Sequence, residues 1–526
     1  MHILILERQA TLYRALLVLF SLWGLGLVYS GAKLNEYSGG TYQPMQKISL
    51  MKKKTKKWMV LYLDKLSSSF RDTSGFLFTN GKDLFRQVNE SYSFNYDMLM
   101  KSGLYDTLVK KGWLVKHTEE ALSLSMIPEN AYIIIKPSVI PFISYPFEWC
   151  FSQYREAALL VLEICTLAIE HGMILKDASA YNVQFIGSKP VFIDTLSFEK
   201  YEEGRPWIAY GQFCRHFLSP ILLMSYTDTR LSQLMHSYID GIPLDLTAEL
   251  LPFSCRFDVS IYLHIYLYIK KEIKSNKKLD MQNKVLSKKA LIEIINNLKH
   301  LIKKASVEKN NTEWAEYYEN MHNYSDVAFA SKANILRDFL NIANAKKILD
   351  MGGNRGEFSK IAREIENSYV VCCDIDHTAV NKHFMALKSK KIRNVLPIVL
   401  NLTNPSPSVG WANTERASFI ERIDCDCIIA LALIHHIAIS NNTPFEKIAQ
   451  LFASMSEYLI IEFVPKEDSQ VQLLLRNRED IFDEYTVEGF EKCFLNLYDI
   501  IEKHNVSDSR RIVYLMKRNK DRSALY

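Results

Sequence analysis

The sequence predicts an α/β fold in its C-terminal part, a doubly wound sheet of mostly parallel strands, preceded by an α+β domain. The first observation is an apolar run, Lys346–Asp350, that ends in an acid and is followed by a turn of small residues, Gly352–Gly356. Helical spacing then leads to a second apolar run, Tyr369–Cys373, which stops at Asp374. The second observation is that further short apolar runs follow at regular intervals as far as Leu515. Strand, glycine turn, helix, strand and acid form the opening unit of a nucleotide-binding sheet.

The turn after the first strand has a spacing that favours a positively charged ligand. It reads Asp-x-Gly-x-Asn-x-Gly from Asp350 to Gly356, whereas a dinucleotide turn reads Gly-x-Gly-x-x-Gly and seats a pyrophosphate. An acid at Asp350 would repel a pyrophosphate but attract a cation, and the free N–H groups of the turn can hold a carboxylate. S-adenosylmethionine carries an ammonium, a sulfonium and a carboxylate. We expect Asp374 to accept hydrogen bonds from the ribose hydroxyls, and Asn354 to tolerate the left-handed backbone of the turn.

This unit resembles the start of the class I S-adenosylmethionine-dependent methyltransferases, whose Rossmann-like sheet has seven strands. The five later strands are predicted at Val395–Leu400, Asp426–Leu433, Tyr458–Phe463, Tyr498–Ile501 and Arg511–Leu515. The resemblance implies that the third strand ends at a residue that contacts adenine. The residues that it assigns to the methyl donor are Asp350, Gly352, Gly353, Asn354, Gly356, Asp374 and Asn401. The alternative is an ordinary buried βαβ unit with a glycine turn.

Two adjacent histidines follow the fourth strand, at the edge of the sheet where ligands bind in open α/β folds. His435 and His436 would face the sulfonium, and an imidazole with a pKa near neutrality can act as general base for an oxygen or nitrogen nucleophile. Glu462 ends the fifth strand and offers a second polar group. The alternative is that both histidines cap the next helix. A metal site is not expected from them, because neighbouring side chains on one element point apart.

The length, the net charge and the cysteine positions limit the classes of protein to which this chain can belong. A chain of 526 residues is too long for one core, so two domains with connectors are expected. A formal net charge of +5 is small for this length, and no specific nucleic acid is expected as a partner. Cys372, Cys373, Cys425 and Cys427 lie in predicted strands and lack the turn spacing of zinc knuckles. Buried, reduced thiols in a cytoplasmic protein are expected.

Residues 1–50 are assigned to an N-terminal extension or membrane anchor. The run 15–31 is uncharged and has about the minimum length of a membrane span. Because lysines are concentrated after it, a span would anchor the protein in the inner membrane and keep the long C-terminal part in the cytoplasm. A cleaved signal peptide is a second interpretation, and translation from Met51 is a third. An interpretation without a true span is favoured.

Residues 51–269 are predicted to form the α+β domain. The segments Gly75–Phe78 and Leu84–Val88 have the pattern of a β-hairpin with an Asn-Gly turn. The segment Glu156–His171 has the apolar stripe of a long helix, and Gly172 after it is a suitable C-terminal cap. These elements place the next motif on the loop that follows a buried helix.

That loop carries the residues of a kinase-like catalytic segment. Asp177 is followed five residues later by Asn182, and Asp194 comes after a short hairpin. The layout resembles that of protein and small-molecule kinases, in which the first Asp positions the acceptor hydroxyl while the Asn and the second Asp hold magnesium on the nucleotide phosphates. The resemblance makes Asp177 the candidate base, Asn182 and Asp194 the candidate metal ligands, and Mg²⁺ with ATP the candidate cofactors.

Several positions depart from the kinase pattern. Lys176 stands where kinases usually have Arg, and Thr195 stands where Phe is usual. No glycine-rich phosphate loop precedes the block, and Arg86 is the basic candidate on an early strand. The alternative is that Asp177 and Asn182 merely cap a turn, as these residue types often do.

Residues 270–310 are predicted to be a basic helical linker, rich in lysine and with Leu291 and Ile295 on its apolar stripe. A solvated connector helix is expected, and a helix that lies on anionic membrane or nucleic acid is the alternative. The methyltransferase-like domain then occupies 311–526. Its first helices, which include Lys332, would cover the pocket.

Taken together, five segments resemble those of bacterial two-part proteins related to host-specific nodulation methyltransferases: LKDASAYNVQF, PVFIDTLSFE, ILDMGGNRGEFS, LALIHHI and IIEFVPKED. The resemblance implies transfer of a methyl group from S-adenosylmethionine to an unidentified acceptor, with a small molecule or glycan favoured. The kinase-like domain would bind substrate, partner or nucleotide. Two alternatives stay open: a bifunctional enzyme that also phosphorylates a small molecule or glycan, and a non-catalytic scaffold.

Overall fold

The computed structural model describes four ranges of the chain, 47–48, 61–270, 286–307 and 325–523. These ranges belong to one compact unit, Lys47–Tyr526. The apolar run 15–31 lies outside the described residues. Within the described ranges, no helix combines the length and the apolar character that crossing a membrane requires.

An antiparallel sheet of five strands opens the α+β part. A short pair, Lys47–Ile48 (β1) and Leu61–Tyr62 (β2), precedes it. The strands of the sheet are Asp64–Lys65 (β3), Gly75–Thr79 (β4), Leu84–Asn89 (β5), His117–Glu120 (β6) and Ala131–Pro137 (β7). Their order is β3-β4-β5-β7-β6, and the predicted hairpin is confirmed as β4 and β5. Between β5 and β6 lie the helices Ser93–Lys101 (α1) and Leu104–Lys111 (α2).

A long buried helix, Phe151–Glu170 (α3), forms the centre of the helical part. It begins earlier than predicted because the side chain of Gln153 accepts the N–H of Cys150 at 2.9 Å and closes its first turn. The short strands after it are Met173–Leu175 (β8), Val183–Ile186 (β9), Lys189–Phe192 (β10) and Phe198–Lys200 (β11). The following helices are Tyr210–Phe213 (α4), Ser219–Tyr226 (α5), Leu234–Ser237 (α6), Leu244–Leu250 (α7) and Val259–Ile261 (α8).

The helix Lys288–Lys304 (α9) belongs to the predicted linker, but it is not a solvated connector. Its apolar stripe is buried, with Leu291 at 1% and both Ile295 and Leu298 at 0% exposure. These side chains join the core that also contains α3. The prediction of a solvated connector was wrong, because the apolar stripe of α9 packs against α3 of the α+β part.

The C-terminal part is built on a seven-stranded sheet. Its strands are Lys347–Met351 (β12), Tyr369–Asp374 (β13), Val395–Val399 (β14), Cys425–Ala430 (β15), Ser456–Phe463 (β16), Tyr498–Asn505 (β17) and Ile512–Arg518 (β18). The order is β14-β13-β12-β15-β16-β18-β17. Neighbours from β14 to β16 are parallel, and β18 is antiparallel to both β16 and β17. This is the predicted Rossmann-like methyltransferase sheet.

Helices precede, connect and follow the strands of this sheet: Asp326–Ala343 (α10), Glu357–Ala362 (α11), His377–Ser389 (α12), Phe419–Arg422 (α13), Phe445–Met455 (α14), Ser469–Leu475 (α15), Val487–Phe494 (α16) and Lys520–Ser523 (α17). The central strands are mostly apolar and buried, with charged residues mainly near their ends, as is usual for a parallel sheet between layers of helices. Four cysteines in these strands are buried and free, as expected: Cys372, Cys373, Cys425 and Cys427.

The α+β part covers β14, the strand at the edge of the seven-stranded sheet, with the segment Pro146–Glu148, with β9 and with a side chain of α3. The Nε2 of Gln153 donates to the carbonyl of Pro397 in β14 at 3.0 Å. Nearby, Arg422 forms an ion pair with Glu148, and their side chains are only 7% and 0% exposed. One continuous apolar cluster includes residues from α3 and from the sheet. The α+β part and the sheet therefore share a core.

Candidate active site

The turn between β12 and α11 contains three backbone positions in the left-handed region. Gly352 has a φ of +70°, Asn354 of +48° and Gly356 of +75°. Asn354 adopts this conformation as expected, because a short polar side chain tolerates it. At Gly356 there is also no room for a side chain, since a Cβ would lie 2.0 Å from the ring of His383. Glycine at this position therefore allows the helix to start directly after the turn.

Backbone hydrogen bonds fasten this turn to the end of β13. The N–H groups of Gly352 and Gly353 both donate to the carbonyl of Cys373, at 2.9 and 3.1 Å. The N–H of Asn354 donates to Oδ2 of Asp374 at 2.8 Å. The expectation that free N–H groups of the turn hold a carboxylate is wrong for these three residues, because β13 already accepts their hydrogen bonds. A ligand carboxylate would need another partner.

Two carboxyl groups, the buried Asp350 and the half-buried Asp374, lie at the ends of the adjacent strands β12 and β13. Oδ2 of Asp350 accepts a hydrogen bond from the hydroxyl of Ser359 at 2.5 Å, and Oδ1 of Asp374 accepts one from the N–H of Asp376 at 2.8 Å. Burial raises the pKa of Asp350 to about 6. The hydrogen bond from Ser359 lowers this pKa, and the negative charge of Asp374 raises it further. Burial likewise raises the pKa of Asp374 to about 6. Such a pair is stabilised by a ligand that brings positive charge.

A cavity of about 360 Å³ lies at the carboxyl ends of these strands. This volume falls in the range of small-ligand sites, roughly 300–1,000 Å³. Of the residues predicted to contact the donor, those that line the cavity are Asp350, Gly352, Gly353, Asn354, Asp374 and Asn401. Gly356 is not among the lining residues. Oδ1 of Asn401 accepts hydrogen bonds from the N–H and the hydroxyl of Thr403, at 3.0 and 2.8 Å, which fixes the orientation of the amide.

The two predicted histidines occupy different surroundings. His436 lines the cavity, whereas His435 is 1% exposed, and its two ring nitrogens have no hydrogen-bond partner among the described residues. The ring centroids lie 4.1 Å apart, so these neighbours do not point apart as expected. Burial lowers the pKa of His436 to about 4, and burial with the charges of His436 and Lys332 lowers the pKa of His435 well below its ordinary value. Neither histidine has the near-neutral pKa that the sequence suggested.

A buried ion pair supports the cavity wall. Nζ of Lys332 lies 2.6 Å from Oε2 of Glu462, and their side chains are 1% and 0% exposed. The same oxygen accepts the N–H of Ala432 at 2.6 Å. Ala432 lines the cavity and has a φ of +50°, which is unfavourable for alanine. The ion pair therefore stabilises a strained backbone position in the wall of the site.

The sequence places Glu462 at the end of the fifth strand and Lys332 on a helix over the pocket, but it does not pair them. Arg511, which is 2% exposed, extends the group: it lies 3.8 Å from Glu462 and makes two hydrogen bonds with Asp468, at 2.7 and 3.0 Å. A lysine that falls on the apolar face of a predicted helix is a weak signal of a buried charge. This signal could have identified Lys332 from the sequence.

A second group of predicted residues comes together in the α+β part. Oδ1 of Asp177 accepts hydrogen bonds from the N–H of Ser179 at 2.9 Å and from Nε2 of Gln212 at 2.8 Å. Burial and the negative charge of Asp194 raise the pKa of Asp177. A hydrogen bond from the side chain of Asn182 acts in the opposite direction and lowers it in part. The three predicted residues Asp177, Asn182 and Asp194 are therefore neighbours in the fold.

Arg86, on β5, forms an ion pair with Asp194 and lies 3.1 Å from Asp72. The remaining contacts of Asp194 are a hydrogen bond from Ser197 to Oδ2 at 2.5 Å and one from the N–H of Leu196 to Oδ1 at 3.0 Å. Burial raises the pKa of Asp194, but Arg86 and these hydrogen bonds outweigh burial and keep the pKa below its ordinary value. Both carboxylate oxygens are thus occupied by the chain itself.

The prediction that Asn182 and Asp194 hold magnesium does not fit this arrangement. The guanidinium of Arg86 takes the place beside Asp194 that a cation would need. Across the described ranges, no group of three or more His, Cys, Asp or Glu residues is arranged to hold a metal ion. In the α+β site, the guanidinium of Arg86 neutralises the carboxylate of Asp194.

Comparison with known proteins gives an extensive match. No protein-family model matches the chain. The nodulation protein NoeA of Rhizobium meliloti (strain 1021) is 32% identical over 464 residues, which span 86% of this chain and 96% of NoeA.

Solved structures match over smaller parts. The bifunctional kinase-methyltransferase WbdD is 18% identical over 37% of this chain and 40% of its own, with a TM-score of 0.26. Magnesium protoporphyrin IX methyltransferase of Synechocystis PCC 6803 is 14% identical over 39% of this chain and 93% of its own, with a TM-score of 0.28. These scores are too low to assign the fold, which rests here on strand order and register. The match to NoeA confirms the predicted relation to nodulation proteins, and the chain belongs to the family of the nodulation protein NoeA.

Proposed function

We propose that this protein transfers a methyl group from S-adenosylmethionine to an acceptor that binds beside His436. The observation that carries the proposal is the pair of carboxyls, the buried Asp350 and the half-buried Asp374, which lie at the ends of adjacent parallel strands and line one cavity. A site of this kind favours a ligand that combines positive charge with hydroxyl groups. The order of the seven strands supports the same assignment.

The residues of the cavity fit this donor. Asp374 accepts one backbone hydrogen bond on each oxygen, so each keeps a lone pair for a ribose hydroxyl. Asp350 brings negative charge to the same cavity, and Asn401 presents an amide for adenine. A bound donor supplies an electrophilic methyl carbon on its sulfonium.

The acceptor side of the cavity combines one imidazole with apolar walls. His436 is neutral at pH 7 because burial lowers its pKa to about 4, and a neutral imidazole can accept a hydrogen bond from an acceptor hydroxyl or amine and so orient that nucleophile toward the methyl group. Phe358, Leu433 and Leu474 line the same cavity and exclude water from the reacting atoms. A small molecule or glycan is the acceptor class that we favour.

Titration calorimetry with S-adenosylmethionine and its demethylated product tests the donor site. We expect binding of both by the intact protein and a large loss of affinity in Asp374→Ala. Asp424→Ala is the matched control, because Asp424 is 83% exposed and pairs with Lys347 away from the cavity. Absence of binding, or binding that Asp374→Ala leaves unchanged, would refute methyl transfer and favour the scaffold interpretation.

The acceptor can be identified by comparing metabolites from cells with the intact protein and with Asp350→Ala. We expect a methylated species that is present only with the intact protein. Equal metabolite profiles, with donor binding intact in the purified wild type, would argue against a small-molecule acceptor and direct the search to glycans and proteins.

We infer a second candidate function for the α+β part, namely binding of a nucleotide or another phosphate ligand by a kinase-like fold. The five-stranded sheet and α3 precede the loop with Asp177, and Arg86 reaches from the sheet to Asp194. Lys176 supplies positive charge there: its Nζ contacts the hydroxyl of Ser74 at 2.8 Å, and it has no ion pair with a described residue. Phosphoryl transfer is not part of this inference, because the ion pair with Arg86 takes the place that a magnesium ion would need beside Asp194.

Calorimetry with ATP, with and without MgCl₂, tests this second function. We expect similar affinity under both conditions and weaker binding in Lys176→Met, with Lys136→Met, an exposed lysine paired with Asp83, as the control. Magnesium-dependent binding that Asp194→Ala abolishes would instead support the bifunctional enzyme. No nucleotide binding at all would remove both interpretations.

A further inference from the structure

A ridge of exposed apolar side chains projects from the helical part of the α+β region. It consists of Phe253, Phe257, Val259 and Leu263, which are 67%, 76%, 71% and 44% exposed. We call these four residues the apolar ridge. Single exposed apolar residues are normal, but a group of large ones on one short segment marks an interaction surface.

The apolar ridge stands on a folded base. Cys255, Ile261 and Ile265 alternate with the ridge residues and are 3%, 0% and 0% exposed. The rings of Phe253 and Phe257 pack edge to face, with centroids 5.6 Å apart. The segment therefore contributes buried side chains to the core and still directs four large apolar side chains to the solvent.

Two cations accompany the ridge, and neither forms an ion pair with a described residue. The guanidinium of Arg256 lies 5.2 Å from the ring centroid of Phe253 and 5.2 Å from that of Tyr266. Nζ of Lys270 lies 5.7 Å from the ring centroid of Tyr262. The cations are thus held against the aromatic rings and remain available to an anion outside the protein.

The acid within this segment is already neutralised. Asp258, next to Phe257, forms an ion pair with Lys304 at 2.9 Å. Lys304 ends α9, and Lys303 precedes it in the same turn. The segment 253–270 itself therefore carries the two cations Arg256 and Lys270 and one acid that Lys304 already pairs, a pattern that is complementary to an anionic surface.

We propose that the apolar ridge rests on an anionic lipid bilayer, with Arg256 and Lys270 in contact with lipid phosphates. Aromatic and aliphatic side chains flanked by unpaired cations are the combination that binds the interface of anionic bilayers. A second copy of the chain is disfavoured as occupant, because it would bring the same cations face to face. A protein partner would have to supply both an apolar pocket and acids around it. The proposal does not depend on methyl transfer.

Sedimentation of the full-length protein with phosphatidylcholine vesicles, with and without phosphatidylglycerol, tests the proposal. We expect binding that requires phosphatidylglycerol and that falls roughly tenfold or more in the double variant Phe253→Ser/Phe257→Ser. Arg256→Gln/Lys270→Gln should remove the preference for phosphatidylglycerol. Phe94→Ser is the control, because Phe94 is 63% exposed on α1, outside the ridge, and should change nothing.

A site-specific readout accompanies the affinities. The variant Phe257→Trp, with the wild-type spectrum subtracted, should show a blue-shifted emission when phosphatidylglycerol vesicles are added. Binding that survives unchanged in the double phenylalanine variant would overturn the proposal. Absence of vesicle binding would also overturn it. A dimer that the double variant disperses, without vesicle binding, would identify a second copy as the occupant instead.

Discussion

Lys332 and Glu462 illustrate, at the residue scale, what a buried charge pair does for the candidate site. We predict that Lys332→Met, which keeps the length of the side chain but removes its charge, lowers the free energy of unfolding by about 3 kcal/mol. The reason is that Glu462 stays buried without its main partner, while Arg511 at 3.8 Å compensates in part. Urea unfolding at neutral pH measures the change.

The matched control for this prediction is Lys503→Met. Lys503 pairs with Glu491, but their side chains are 41% and 26% exposed, so we expect a loss of only about 0–1 kcal/mol. Equal losses in the two variants would mean that the buried pair contributes no more than a solvent-exposed one. A donor affinity that falls in Lys332→Met alone would link the pair to the cavity wall through Ala432.

The raised pKa values of Asp350 and Asp374 make donor binding depend on pH. Both folded-state pKa values are about 6, so the carboxyls are ionised above pH 6 and take up protons as the pH falls through 6. A cationic donor must then displace those protons. We predict that affinity for S-adenosylmethionine falls by up to roughly tenfold per pH unit for each protonated carboxyl. Calorimetry across this range measures it, and a constant affinity would contradict the assignment of both carboxyls to the donor.

At the scale of the element, the turn that joins β12 to α11 depends on two separate properties of Gly356. Its φ of +75° strains any other residue, and a Cβ would lie 2.0 Å from the ring of His383. Gly81 separates these effects, because its φ is +88° but nothing lies within 4 Å of the position that a Cβ would take. We predict a loss of roughly 1–2 kcal/mol for Gly81→Ala from strain alone and a clearly larger loss for Gly356→Ala.

Thermal or urea unfolding of both glycine variants provides the measurement. The double variant Gly356→Ala/His383→Ala should recover the part of the loss that is due to the clash, relative to His383→Ala alone. If Gly356→Ala costs no more than Gly81→Ala, the ring of His383 moves aside without penalty and the close approach does not explain the glycine.

Features of the site that are local in sequence could be predicted, and features that join distant residues could not. The turn Gly352–Gly356 carries its own signal, because the backbone conformation of each position is a local property. The pair Lys332–Glu462 has no such signal, since 130 residues separate its members. Arg86 likewise meets its partner across 108 positions. The sequence shows that such charges exist, but only the fold shows which of them neutralise one another.

The two histidines mark a different limit. The sequence predicts one shared environment for His435 and His436, but a π-helical segment, His436–Ser440, begins between them. The ring of His436 consequently lines the cavity, while the ring of His435 is buried behind it, with the two centroids 4.1 Å apart. Burial rather than residue type then decides their pKa values, and burial at single-residue resolution is not readable from an apolar pattern.

At the scale of the whole molecule, the shared core predicts that the α+β part and the seven-stranded sheet unfold together. One apolar cluster includes side chains of both, and the buried pair Arg422–Glu148 joins them. We predict a single calorimetric transition whose van't Hoff and calorimetric enthalpies agree. S-adenosylmethionine should raise its midpoint without splitting it. Two resolved transitions would mean that the parts are thermodynamically independent.

The cover that the α+β part provides for β14 has a consequence for how this chain can be divided. Edge strands with unpaired backbone groups template aggregation unless something blocks them, and β14 is buried along its whole length. Its protection comes from the α+β part, in which Pro146–Glu148 and β9 contact the strand and Gln153 donates to the carbonyl of Pro397. A fragment that starts at residue 311 would leave this edge bare and self-associate, so the methyltransferase-like half of the protein needs the preceding half to stay in solution.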